Sequence, residues 1–261
     1  MVNKISFPRI LRVKSAFYIT PNMIRVTFSG SELEGIPSGH EGGNCKLTLP
    51  NEGQSRDEFV RQLEQGIKFP VRTYTVRAFR EETKELDIDF VAHGSEGPAS
   101  RWAMSARAGD FCGFRGPSPA KVNHFNADWY LIAADMSALP LAAVTLESMP
   151  REAKGLAVIE ITSEADKQDI DAPDGVNIHW LIHSDPHFSS NAQGIFIRAV
   201  TWPEGKVQVC VAGESATVKS LRKLLLEERG VDKSSAYLSG YWKIGLIEDE
   251  HQDFKKTAVK A

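Results

Sequence analysis

The sequence is poor in the residues that cross-link chains and hold metals. Its three cysteines, Cys45, Cys112 and Cys210, stand far apart and form no C-x-x-C pair. That excludes a disulfide framework and leaves no ligand set for zinc or an iron–sulfur cluster, so the cysteines are expected as small core residues and no metal site is expected. Positive charge is not in excess, since 31 Lys and Arg face 34 Asp and Glu. A bulk field that would draw nucleic acid or an anionic membrane is therefore missing, and any anion must be met by a local patch. Long apolar runs are missing too. The most apolar stretch, WYLIAADMSALPLAAVTL, is broken by Asp135 and Pro140, and the N-terminal MVNKISFPRILRVKSAF has scattered charges and no apolar core of signal-peptide length. The expectation is a soluble, cytoplasmic protein with neither a membrane nor a nucleic-acid partner. No G-x-G-x-x-G follows WYLIAA, so the usual dinucleotide fingerprint is absent.

What is present divides into two textures. With 261 residues, 42% of them hydrophobic, the chain has room for two domains of ordinary size. Up to about Asn123 it shows short alternating segments, IRVTF (24 to 28), CKLTL (45 to 49), TYTVRAF (73 to 79) and LDIDFVAH (86 to 93), separated by Gly, Pro and polar turns. This pattern predicts an antiparallel β-barrel. From Trp129, apolar strands (WYLIAA, AVIEITS, NIHWLIH, KVQVCVAG) alternate with helices over 138 to 149 and from Thr217, which predicts a parallel α/β domain. The last helix sets Val218, Leu221, Leu224 and Leu225 on one face and stops at Gly230, a good left-handed cap. The expected organisation is a β-barrel over 1–124, an α/β domain over 125–246 and a polar tail over 247–261.

Six blocks occur in order: RTYTVR, LDIDFVAHGSEGPASRWA, AGDFCGFRGP, WYLIAADMSALPLA, VAGESATVKSLRKLL and SGYWKIG. A barrel followed by a nucleotide-type domain resembles the ferredoxin-reductase-like flavoenzymes, in which an R-x-Y-[ST] strand holds the flavin. The blocks together resemble, more closely, the siderophore-interacting protein family of FAD-dependent ferric-siderophore reductases. The resemblance implies an FAD site, with NADH, NADPH or a reduced ferredoxin as electron donor. It implies a ferric siderophore, catecholate or hydroxamate, as substrate.

The residues carry a matching chemistry. Tyr74 offers an aromatic face to an isoalloxazine ring and Thr75 a hydrogen bond to its edge, while Arg72 and Arg77 present forked donors suited to a pyrophosphate. In HGSEGPASRWA, Pro98 suits a first helical position after Gly97, and the amides of Ala99 and Ser100 would then point out of a helix N-terminus, where the FAD pyrophosphate is expected. His93 matches the family's histidine beside the flavin. Trp102 belongs to the core or covers the adenine, the core being favoured.

In the second half, ADMSALP resembles a family loop reading D-x-T-A-L-P, with Ser137 keeping a capping hydroxyl. A nicotinamide nucleotide is expected across Asp135, Ser137 and Ala138 and the later turn Gly213 to Ser215. Glu164 or Asp166 would accept from a ribose 2′-hydroxyl and favour NADH. A ferric siderophore already satisfies its metal, so the protein needs cations near the flavin rather than ligands. The family's basic trio falls on Lys46 and Lys243, with the middle place open between Lys121 and Arg115, because Ser118 follows the GP dipeptide where many relatives carry arginine. No acid–base dyad or nucleophile is apparent, and electron transfer through FAD requires none. Two other readings share these residues: a general NAD(P)H-dependent flavin or electron-carrier reductase, and a non-enzymatic siderophore-binding flavoprotein.

Overall fold

The alternation of the N-terminal half folds as antiparallel strands. In the computed structural model, which describes residues 7–92 and 97–246, the chain divides into two units, Met1–Ala120 and Lys121–Ala261. The first contains β1 (Arg9–Thr20), β2 (Met23–Ser29), β3 (Asn44–Thr48), β4 (Val71–Thr75), β5 (Ala78–Arg80), β6 (Glu85–Val91) and β7 (Phe111–Arg115). They form one seven-stranded sheet in the order β4-β3-β7-β1-β2-β6-β5. Its inward face is apolar, with Leu11, Val26, Phe28, Leu47, Leu86, Ile88, Phe90 and Phe114 almost fully buried.

TYTVRAF, expected as one strand, is two. Val76 leaves the ladder to exchange hydrogen bonds with the turn at Gly42 and Gly43, each 2.9 Å, and Arg77 N then donates to Asp87 O at 2.9 Å. So β4 pairs with β3 on one edge of the sheet while β5 pairs with β6 on the other. Along the chain, Val76 and Arg77 separate these two edge strands. Helix α1 (Arg56–Glu64) was not evident from periodicity, being mostly charged, yet it buries Phe59 against Phe69 at 4.8 Å between ring centroids. Helix α2 (Pro98–Ser105) lies against β2 and β6.

The outer side of β2 and β6 is an ion-pair ladder. Register sets Arg25 opposite Asp89 and Thr27 opposite Asp87. Arg25 grips Asp89 at 2.7 and 2.8 Å, and Arg80 grips Asp87 at 2.8 and 2.9 Å, with Thr27 Oγ1 donating to Asp87 at 2.8 Å. Burial pushes the Asp87 pKa up, but the hydrogen bonds from Arg80 and Thr27 and the nearby guanidinium charges outweigh it, leaving the carboxyl below its ordinary value. A lowered folded pKa contributes stability that is present above the unfolded value and lost as pH falls through the folded one. Asp87→Asn is therefore expected to cost about 1 to 3 kcal/mol at neutral pH. The deficit should shrink below pH about 4, as urea unfolding at both pH values would read.

The second unit is parallel. β8 (Trp129–Ala134), β9 (Lys154–Ile161), β10 (Gly175–Ile182), β11 (Val207–Glu214) and β12 (Ala236–Trp242) run in the order β10-β9-β8-β11-β12, and every pairing is parallel. Helices α3 (Leu139–Glu147), α4 (Ala192–Ala199) and α5 (Ser215–Arg222) cover it. Strand order reverses between β8 and β11, and sheets of this topology receive ligands in the crevice outside the carboxyl ends of the strands at such a point. The last helix buries Val218, Leu221, Leu224 and Leu225 as expected. Beyond Arg222 it widens, Arg229 N reaching Leu224 O at 3.0 Å, and ends at Gly230 with φ +70°. All three cysteines are buried and free, and among the described residues no helix is long and apolar enough to cross a membrane.

Candidate flavin and nucleotide sites

On the first unit, the candidate site starts from the register of β4 on β3. Lys46 faces Thr73, Leu47 faces Arg72 and Cys45 faces Tyr74. Side chains alternate along a strand, so Arg72 and Tyr74 share the face of buried Cys45 and Leu47, and Thr73 shares the other face with Lys46. Tyr74 packs on Phe90, with ring centroids 4.3 Å apart, and Phe90 in turn packs on Trp102. Trp102 also stacks on Phe28 at an interplanar angle of 7°, which gives it the core role favoured from the sequence. Arg72 and Thr75 are buried, and Arg72 Nη1 donates to Val71 O at 3.0 Å.

Arg77 is placed differently from Arg72. Its Nε lies 4.0 Å from Asp89 Oδ2, so part of its charge is balanced inside the ladder. The helix expected after Gly97 does begin at Pro98, with Gly97 at the N-cap supplying no side-chain cap and Ala99 and Ser100 buried. His93 lies outside the described residues. Guanidinium, hydroxyl and aromatic groups on one strand, together with a helix whose N-cap is a glycine, form a donor set that fits a planar ligand with an anionic linker.

The cations divide between the units. Lys46 stands directly opposite Arg115 on β7 and opposite Thr73 on β4, its Nζ 3.3 Å from Thr73 Oγ1. These three side chains make one polar row across three strands, on the face opposite Tyr74 but one residue away along β4. Ser118, in the expected arginine position, accepts from Asn44 N at 2.9 Å. Lys121 opens the second unit and Lys243 follows β12 directly.

In the second unit, the ADMSALP turn is built around Asp135. Its Oδ1 accepts from Ser137 N at 2.9 Å, Ser137 Oγ at 2.6 Å and Ala138 N at 3.3 Å; its Oδ2 accepts from Glu214 N and Trp242 Nε1, both at 2.8 Å. Five donors fill a carboxylate's acceptor capacity. Asp135 thus ties together the ends of β8, β11 and β12. Burial nevertheless raises its pKa, against the lowering effect of Ser137, Trp242 and Glu214. The Ser137 hydroxyl, expected as a helix cap, instead donates to Asp135. Gly213 is required here: its φ is +143°, and a Cβ would lie 2.5 Å from Asp135 Oδ2. Glu214 begins α5, its Oε2 accepting from Ala216 N at 2.6 Å and Thr217 N at 2.9 Å.

Asp166 and Glu164, the two acids expected at a ribose, sit differently. Asp166 is fully buried and its Oδ2 accepts from Ser163 N and Oγ at 3.0 and 2.8 Å, closing a cap at the end of β9. Glu164 is exposed and paired with Lys167. Trp242 and Gln193, whose Nε2 donates to Ala134 O at 2.7 Å, were not singled out from sequence. Nothing in the local pattern marks Gln193, whereas Trp242 lies inside the SGYWKIG block.

Comparison with known proteins bears on both units. Residues 12–121 match the model of the siderophore-interacting FAD-binding domain, and residues 127–245 match that of the siderophore-interacting protein. The ferric vibriobactin reductase ViuB of Vibrio cholerae is 34% identical over 97% of this chain and 96% of its own. The chain belongs to the siderophore-interacting protein family. The crystal structure of the siderophore-interacting protein SipS from Aeromonas hydrophila superposes with a TM-score of 0.83 at 29% identity, covering 98% of this chain and 99% of that one. The NADPH-dependent ferric-chelate reductase of Escherichia coli is 28% identical over 89% of this chain and 91% of its own.

Proposed function

We propose that the protein is an FAD-dependent ferric-siderophore reductase using NADH or NADPH as electron donor. The observation that carries the substrate is the cross-strand pair of Lys46 and Arg115, set beside the strand that bears Arg72 and Tyr74. When bound, FAD supplies the conversion of a two-electron hydride donor into single electrons for Fe(III). The chain's residues bind and orient. Tyr74 gives the ring a rigid face backed by Phe90, Thr75 a hydrogen bond at its edge, and Arg72 a fork for the phosphates. Lys46 and Arg115 concentrate an anionic ferric complex without making the protein basic overall. Fe(II) holds siderophore oxygens less tightly than Fe(III), so protons compete for them and the metal is released, in our reading into the cytoplasm.

Anaerobic reduction of the purified flavoprotein, followed by rapid mixing with a ferric siderophore, tests this. The expected result is reoxidation of the flavin matched by formation of Fe(II), trapped by a chromogenic chelator. Reoxidation by free flavin but not by the ferric complex would make it a general flavin reductase. Binding without reoxidation would make it a carrier. Reduction by ferredoxin alone would remove the nicotinamide donors.

A further inference from the structure

The crevice at the strand ends of the second unit is where an α/β sheet of this order receives a dinucleotide, and it does so by turning helix N-termini toward the pyrophosphate. Here the turn that leads into α3 and the first turn of α5 are answered from within. Ahead of α3, the amides of Ser137 and Ala138 donate to Asp135, and at α5, those of Ala216 and Thr217 donate to Glu214. The space above Gly213, where a missing side chain would let a phosphate approach the backbone, holds the Asp135 carboxylate. Glu214 is itself buried, and its own amide is taken by Asp135.

We infer that Asp135 and Glu214 close this crevice to a pyrophosphate, and that Glu214 is a specificity-determining residue which keeps the adenylate half of a nicotinamide donor out of it. Two carboxylates repel the ligand's charge and occupy the amides that would have bound it. The donor then gains little from its adenosine and phosphates in this unit, and selection rests on the nicotinamide end. The part of this inference that concerns the donor rests on the reductase reading; the closure of the crevice does not.

Calorimetric titration of the full flavoprotein with ADP-ribose, which has the pyrophosphate and lacks nicotinamide, separates the two. The parent is expected to show no binding in the micromolar range. Glu214→Ser keeps a helix-capping hydroxyl but removes the charge, and Glu214→Gln removes the charge with the shape kept; each is expected to tighten ADP-ribose binding on the order of tenfold. Thermal melts near the parent's show that the variants have folded. In the reductase assay, the parent is expected to use reduced nicotinamide mononucleotide nearly as well as NADH. Micromolar ADP-ribose binding by the parent, or two folded variants that bind no better than the parent, would overturn the inference. Failure of every nicotinamide to reduce the flavin would instead strike the donor reading, with the ADP-ribose result still deciding whether the crevice is closed.

Discussion

Arg72→Ala combined with Tyr74→Ala strips most of the FAD from the protein. Of the two expected phosphate donors, Arg77 leans on Asp89, and Arg72 is buried on the strand that carries Tyr74 and donates to the Val71 carbonyl oxygen. Tyr74 supplies an aromatic face that Phe90 holds in place. Losing one charge-assisted contact and one stacking face amounts to roughly 2 to 4 kcal/mol, a hundredfold or more in Kd. Visible flavin absorbance per protein measures it. Tyr74→Phe keeps the face and should retain the cofactor, whereas Arg72→Lys keeps the charge without the fork and should hold FAD only partly. Full occupancy in the double alanine variant would move the flavin site off β4.

Affinity for a ferric catecholate falls as salt rises, and falls again when Lys46 and Arg115 are removed. Over the range in which the Debye length shrinks from roughly 10 Å to about 3 Å, attraction between exposed charges is screened away; a neutral hydroxamate complex should respond far less. The two residues should not weigh equally. Lys46 is exposed and Arg115 half-buried, so Lys46→Ala is expected to cost about 1 kcal/mol or less. Arg115→Ala should cost about 1 to 3 kcal/mol, because a half-buried guanidinium is better shielded from solvent. Lys121→Ala and Lys243→Ala are the comparison: a loss at Lys121 matching that at Arg115 would add it to the set. Titration of the flavin spectrum with the ferric complex reports all four, and a Lys46, Arg115 double variant that binds like the parent would reduce both to ordinary surface charges.

Much of the fold was legible because periodicity and burial agree. LDIDF reads as a strand since Leu86, Ile88 and Phe90 alternate, and they do enter the core. The last helix and its stop at Gly230 follow from spacing and one backbone angle. Where the reading stopped short, nonlocal partners decide. The break in TYTVRAF is imposed by Gly42, Gly43 and Asp87, all distant in sequence. Helix α1 hides because one buried phenylalanine does most of its packing. Asp135, Asp166 and Glu214 have the composition of ligand-binding acids, yet each is consumed by nearby amides and hydroxyls. A carboxylate at a strand end looks the same in sequence whether it faces a ribose or its own backbone, and only the donors around it tell the two apart.

The buried cysteines have a practical consequence. Burial pushes the thiols of Cys45 and Cys210 up to about 12 and that of Cys112 well above its ordinary value. At neutral pH, a thiol titrating near 12 is ionised in only about one molecule in 10⁵, and alkylating reagents meet it only when the surrounding strands open. Cys45 and Cys112 sit in the first unit and Cys210 in the second. The chain thus carries a native set of opening clocks: the rate at which each thiol is labelled times the breathing of its own unit, with no tag or engineered probe, and would reveal whether the two halves unfold together or one at a time.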